Sequence, residues 1–78
     1  MQCFFVQFRC ALGRAYEVAE AISDSELASE IYSTSGEWDL VAKFYVSPDT
    51  DIGRFVNAHL HTIPGIDRTL TTLTFKAF

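Results

Sequence analysis

The sequence predicts an α+β domain, a four-stranded antiparallel sheet with two helices packed on one face. Three observations predict it. Apolar residues alternate with period two in several segments, the signature of half-buried strands. In two other segments they recur at helical spacing. The segments follow one another as strand, helix, strand, strand, helix, strand, with only short polar breaks between them.

Residues 3–9 read as the first strand, with Phe4, Val6 and Phe8 on one face and Cys3, Phe5, Gln7 and Arg9 on the other. Gly13 opens a helix over about 14–23, where Ala15, Val18, Ala19 and Ile22 follow the i, i+3, i+4, i+7 pattern. Residues 27–34 form a second, half-polar strand. Ser35-Gly36-Glu37 is a tight turn, so this strand and the next pair as an antiparallel hairpin. Residues 38–46 carry the sharpest alternation: Trp38, Leu40, Ala42, Phe44 and Val46 share one face, and Asp39, Val41, Lys43 and Tyr45 the other. Asp49 or Thr50 caps a second helix over about 50–62, and Asp51 suits the positive end of its dipole. Its apolar stripe is Ile52, Phe55, Val56, Leu60 and Ile63, and Pro64-Gly65 stops it. Residues 66–77 return to strand. The apolar parity slips between Leu70 and Leu73, which predicts a bulge or a change of environment there.

This order is the ferredoxin-like split βαβ arrangement. It uses up the chain as one domain over 1–78, without linker or repeat. A core of this size rarely supplies more than ~3–5 kcal/mol unaided, so a staple is expected. The chain is 49% hydrophobic and 14% aromatic, with seven Phe, which excludes disorder and raises the question of where so much apolar surface goes. The parities answer it. Phe5, Val41 and Tyr45 point to the sheet face that no helix covers. Such a face marks an interaction surface, and a second copy, related by two-fold symmetry, is expected to cover it.

Six Lys and Arg against ten Asp and Glu give a net charge of −4. The basic residues are scattered singly, so direct nucleic-acid binding is not expected. The longest apolar run, Cys3 to Val6, is far short of the ~20 residues that span a bilayer, and the N-terminus is not a signal peptide, so the expected compartment is cytoplasmic. Cys3 and Cys10 share one strand, about 23 Å apart at its rise per residue, too far for a disulfide. His59 and His61, two apart on a helix, do not form a metal clamp. No cofactor is expected, and oligomerisation is the staple that remains.

The stretch Ser35-Gly36-Glu37-Trp38-Asp39-Leu40-Val41-Ala42-Lys43 resembles the hairpin motif of the Lrp/AsnC family effector domain. Ile63-Pro64-Gly65-Ile66, followed by Thr69, Thr71 and Thr72, is similar to the lead into that domain's last strand. Glu17 to Ile22 sits where the family places its first helix. The resemblance implies a domain that dimerises through its sheets, with dimers associating into rings, octamers or decamers. It implies a small amino-acid effector bound between dimers near the hairpin turn. Full-length members carry a helix-turn-helix. This sequence starts just before the first strand, so the implied form is a stand-alone effector module that acts on transcription through a partner, such as a full-length regulator of the family.

The candidate effector-binding residues are Ser33, Ser35, Gly36, Glu37, Trp38, Asp39, Thr69, Thr71 and Thr72. Each also has a structural reading. Gly36 suits a turn that needs positive φ, or lets backbone amides approach a carboxylate. Asp39, disfavoured in a strand, either locks the turn by a side-chain hydrogen bond or meets a ligand ammonium. Glu37 at the turn tip is expected in solvent. Trp38 has the helix-facing parity, so core packing is its default. The threonines suit a half-exposed strand, and their hydroxyls suit a ligand from a neighbouring dimer. No residue set points to catalysis. The competing readings are a small dimeric enzyme of the monooxygenase or isomerase kind, and a ligand-free adaptor that co-assembles with full-length regulators.

Overall fold

A computed structural model describes residues 1–78. The elements are β1 (Gln2–Cys10), α1 (Ala15–Asp24), β2 (Ala28–Ser33), β3 (Leu40–Val46), α2 (Ile52–His59) and β4 (Ile66–Leu73). The strands form one antiparallel sheet in the order β2-β3-β1-β4, and both helices lie on one side of it, in the ferredoxin-like arrangement.

Strand alternation delivers the core. Phe4, Val6, Phe8 and Cys10 of β1 and Leu40, Ala42, Phe44 and Val46 of β3 are buried against Val18 and Ile22 of α1, Val56 of α2 and Leu60 just beyond it. Phe4 stacks on Phe44 at 5.2 Å between ring centres, and Phe55 meets both rings edge-on. Each large side chain buried this way contributes roughly 1.5–3 kcal/mol, and the aromatic geometry adds to that.

The edges of the elements differ from the sequence expectations. Strand β4 ends at Leu73 rather than 77, and residues 74–78 have no regular structure. Thr74 still donates its hydroxyl to the Cys3 carbonyl, at 2.6 Å. Helix α2 starts at Ile52, and its cap is Asp51 rather than Asp49 or Thr50: its Oδ1 accepts from the Arg54 N–H, at 3.2 Å. The ladder from Leu70 to Leu73 runs without a bulge. Leu70 pairs with Gln7 and Leu73 with Phe4, so the two leucines face opposite sides of the sheet, each about half exposed. Register shifts occur instead at Arg9/Cys10 against β4, and in β2 between Ala28 and Glu30. The second shift brings Ala28 and Ile31 both to the helix side, which is why β2 shows no clean alternation.

Gly65 ties the two halves together. Its φ is +95°, and a Cβ there would lie 3.1 Å from Val18 Cγ2 and 3.3 Å from Arg14 Cβ. Its carbonyl accepts from the Ala11 N–H, at 2.7 Å. Helix α2 has already ended at His59, short of the expected 62, so Pro64-Gly65 does not stop it; Gly65 instead lets the lead into β4 approach α1 closely.

Phe5, Val41 and Tyr45 lie on the face without helices, together with Lys43, Glu30, Tyr32 and Leu70. The Lys43 ammonium sits 5.2 Å from the Tyr45 ring centre and 5.9 Å from that of Phe5. Glu30 accepts from the Tyr32 hydroxyl at 2.8 Å and lies 3.5 Å from Lys43. Neither helix is long and apolar enough to cross a membrane.

Candidate functional site

The connection between β2 and β3, residues 34–39, is held by hydrogen bonds at Thr34, Glu37, Trp38 and Asp39. Ser33 closes β2 opposite Leu40. Thr34 donates its N–H to the Asp39 carbonyl (2.9 Å) and its hydroxyl to the Trp38 carbonyl (2.8 Å). Asp39 in turn donates its N–H to the Phe8 carbonyl, at 2.9 Å. Phe8 therefore faces β3 with its hydrogen-bonding groups, and Cys10, two residues on, presents its N–H to the same side, where β3 has already ended. An unmet buried N–H is costly. The Asp39 carboxylate meets it: Oδ2 accepts from Cys10 N–H at 2.8 Å. Beside this carboxylate the Cys10 thiol is pushed above its ordinary pKa, first by burial, then by the negative charges of Asp39 and Asp67.

At the tip of the turn Gly36 has φ +92°, and a Cβ added there would meet nothing. Backbone conformation, not crowding, explains the glycine. Glu37 is not simply solvated. Its carboxylate accepts from Arg68 Nη2 at 3.1 Å, and its carbonyl from Arg9 Nη1 at 2.8 Å. Trp38 is not a core residue. It lies in the turn before β3, half buried, with the Arg68 guanidinium 5.4 Å from its ring centre. The cause is Asp39: its bonds to Phe8, Cys10 and Thr34 shape a turn that holds Trp38 outside the strand.

The structure thus brings Gly36, Glu37, Trp38 and Asp39 together with two residues the sequence left unassigned, Arg9 and Arg68. These face each other directly across the β1–β4 pair. The only sequence signal for them was the parity of Arg9 and the short spacing from Arg68 to Thr69. Ser35 is an exposed residue of the same turn. The threonines divide. Thr69 opposes Phe8 and Thr71 opposes Val6 on the helix side, while Thr72 opposes Phe5 on the open face. Thr69 is also engaged: its hydroxyl lies 2.8 Å from His61 Nε2. His59 stacks at a tilt on Phe55, at 4.8 Å.

One open recess touches the turn, and a second lies along the start of β4 and includes no residue of the turn. The first, of about 340 Å³, is bounded by Arg9, Cys10, Gly36, Glu37, Asp39 and Asp67. The second, of about 380 Å³, is bounded by His61, Ile66, Asp67, Arg68 and Thr69. Chemically, the region offers guanidinium donors, an aromatic face, a carboxylate with one oxygen committed to the backbone, and a hydroxyl. Such groups can bond a small charged or polar molecule. No group of His, Cys, Asp and Glu is placed to hold a metal ion.

A family model described as "Lrp/AsnC ligand binding domain" matches residues 3–78. An uncharacterised HTH-type transcriptional regulator of Pyrococcus horikoshii, PH1916, is 39% identical over 59 residues, covering 76% of this chain and 39% of that protein. The chain spans less than half the length of the curated relatives it matches, which are HTH-type transcriptional regulators. Among solved structures, TTHA0845 of Thermus thermophilus superposes with a TM-score of 0.90 at 31% identity, covering 100% of this chain and 98% of that one. The transcriptional regulator NMB0573 of Neisseria meningitidis shares the fold, with a TM-score of 0.82 at 16% identity, over 96% of this chain and 50% of that one.

Proposed function

Because the chain belongs to the Lrp/AsnC ligand-binding-domain family, we propose that it is an effector-sensing and oligomerisation module that binds a small amino acid or related metabolite where dimers meet. The carrying observation is the 34–39 turn. Asp39 stitches it to β1 at Cys10, and Arg9 holds its tip by the Glu37 backbone carbonyl, so its backbone forms a fixed, polar and exposed surface. A preorganised polar surface of this kind binds small charged ligands at low conformational cost. The effector-contacting set is Ser35 to Asp39 and Thr69 from one dimer, with Ser33 and Thr71 completing the site across the contact between dimers; Thr72, opposite Phe5, falls instead beside the interface within each dimer. Phe5, Val41 and Tyr45 form the interface within each dimer, and dimers associate into an octameric or decameric ring. The Neisseria meningitidis regulator that shares the fold was solved as a complex with L-Met, which supports an amino acid as the class of effector. On this reading the module acts on transcription through full-length regulators of the family.

The test is thermal unfolding in the presence of each common amino acid in turn. A ligand at about a hundredfold its Kd adds ~2.7 kcal/mol. For a domain of this size that raises Tm by roughly 10–20 °C. A rise confined to one or a few amino acids, with a change in sedimentation, supports the proposal. A well-folded protein that responds to none overturns it.

A further inference from the structure

Arg9 and Arg68 break a local rule. Like charges placed directly opposite in an antiparallel pair destabilise it, yet these two are register partners on one face of the sheet. They are two of only six basic residues in a chain of net charge −4, so chance crowding of cations is a poor explanation. One residue serves both, with different groups. Glu37 reaches back from the turn tip to bond Arg68 through its side chain, while Arg9 takes only the Glu37 backbone carbonyl and forms no ion pair of its own. The Arg68–Glu37 bridge is exposed on both sides, 60% and 63% at the side chains. An exposed pair of this kind is weak and readily exchanged. Immediately beyond, the register shift leaves Asp67 unpaired against β1, and bulges of this kind often re-aim side chains beside binding sites. The Trp38 ring flanks the Arg68 guanidinium and limits where it can move.

We propose that Arg9 and Arg68 form a carboxylate receptor that Glu37 occupies in the free protein, and that a ligand carboxylate binds by displacing the Glu37 side chain from Arg68. This deepens the effector reading and rests on it for the identity of the ligand: the α-carboxylate of the amino acid takes the place of an internal carboxylate. Glu37 is then an autoinhibitory residue that sets the threshold for the effector. Its backbone carbonyl stays on Arg9, so the turn keeps its place while its side chain leaves.

The test uses acetate as the bare carboxylate and reads the arginine side-chain N–H signals by NMR. The expected result is that the Arg9 and Arg68 signals move on titration. Their midpoint should fall about two- to fivefold in Glu37→Gln, the size of one exposed ion pair. Arg68→Gln should abolish the movement at Arg9 as well. Glu20→Gln, an exposed substitution on α1 with the same change of net charge, should leave the midpoint where it is. The proposal is overturned if acetate moves neither signal, or if Glu37→Gln and Glu20→Gln shift the midpoint equally. The two readings separate cleanly. If acetate behaves as expected but no amino acid raises Tm, the receptor stands and the effector function falls. If an amino acid raises Tm with equal affinity in wild type and Glu37→Gln, the function stands and the displacement falls.

Discussion

The two faces of the sheet are built from alternate residues of the same strands, yet they are different kinds of surface. On the helix side, Phe4, Phe8, Phe44 and Leu40 are fully buried, and the twelve buried residues of the chain are all hydrophobic, with no polar or charged residue among them. On the other side, Phe5 and Val41 share space with Lys43, Glu30 and Tyr32, whose polar atoms bond to one another, and with Tyr45, whose ring lies beside the Lys43 ammonium. An apolar core tolerates no such groups without loss. A surface that is exposed in the free chain, and covered in an assembly, tolerates them well, because each polar group brings its own partner. The contrast teaches that the second face is not an unfinished core: it is composed like an interface, apolar in places and polar in between.

The comparison is broken most severely by attacking the closed face. Phe44→Ala removes a ring that stacks on Phe4 and meets Phe55, and should cost about 3–5 kcal/mol, near the whole stability of a domain this small. Circular dichroism should show a largely unfolded chain. Next is Asp39→Ala, which leaves the Cys10 N–H without its acceptor at the end of the closed face. A loss of roughly 1–3 kcal/mol in urea unfolding is expected, and Asp39→Asn should recover part of it by retaining an oxygen there. A smaller effect on the single chain is expected from Tyr45→Ser on the open face. Since Tyr45 is 45% exposed, the loss should stay near ~0.5 kcal/mol in the monomer, while sedimentation shows weakened self-association. Equal losses for Phe44→Ala and Tyr45→Ser in a monomeric protein would erase the distinction between the faces.

The smallest effect concerns pH. The Tyr32 hydroxyl, and then the Lys43 ammonium, hold the Glu30 carboxyl below its ordinary pKa. Tyr32 is raised by Glu30 in return, and Lys43 is raised, chiefly by Tyr45. A carboxylate lowered in the folded state contributes stability above the unfolded value, and that contribution is lost as pH falls through the folded one. The small Tm advantage of wild type over Glu30→Gln should therefore be present at pH 7 and be lost as the pH falls below the ordinary glutamate range. An advantage that grows in acid would show the network to be unimportant. Cys10, by contrast, should react more slowly than Cys3 with a thiol reagent, because it is buried with its thiol raised and Cys3 is only partly covered.

Much of this was legible in the chain alone. Period-two alternation in 3–9 and 38–46 and the stripes Ala15-Val18-Ala19-Ile22 and Ile52-Phe55-Val56-Leu60-Ile63 predicted the elements and all of the buried core except Cys10, which lies one residue past the expected end of its strand. These patterns are written in neighbouring residues, so local sequence is enough to read them. Where helices and strands stop was less legible, because hydrogen bonds from elsewhere decide it. Thr74 bonds to Cys3 outside any strand, and Asp51 rather than Asp49 or Thr50 faces the free amides of α2.

The turn shows the division most sharply. That Gly36 needs positive φ could be read from the residue itself. For Asp39 the alternatives of turn lock and ligand partner were both visible, and the chain alone had no means of showing Cys10 N–H beside its carboxylate. Trp38 was misplaced in the core because alternation was extended two residues beyond the point where Asp39 ends it. Arg9 and Arg68 were separate, unremarkable cations in the linear sequence. Only the pairing of the first strand with the last sets them opposite each other and brings Glu37 between them. Periodicity is a local property that sequence carries directly, whereas the meeting of charges distant along the chain is a consequence of strand order and register, which exist only once the sheet has formed.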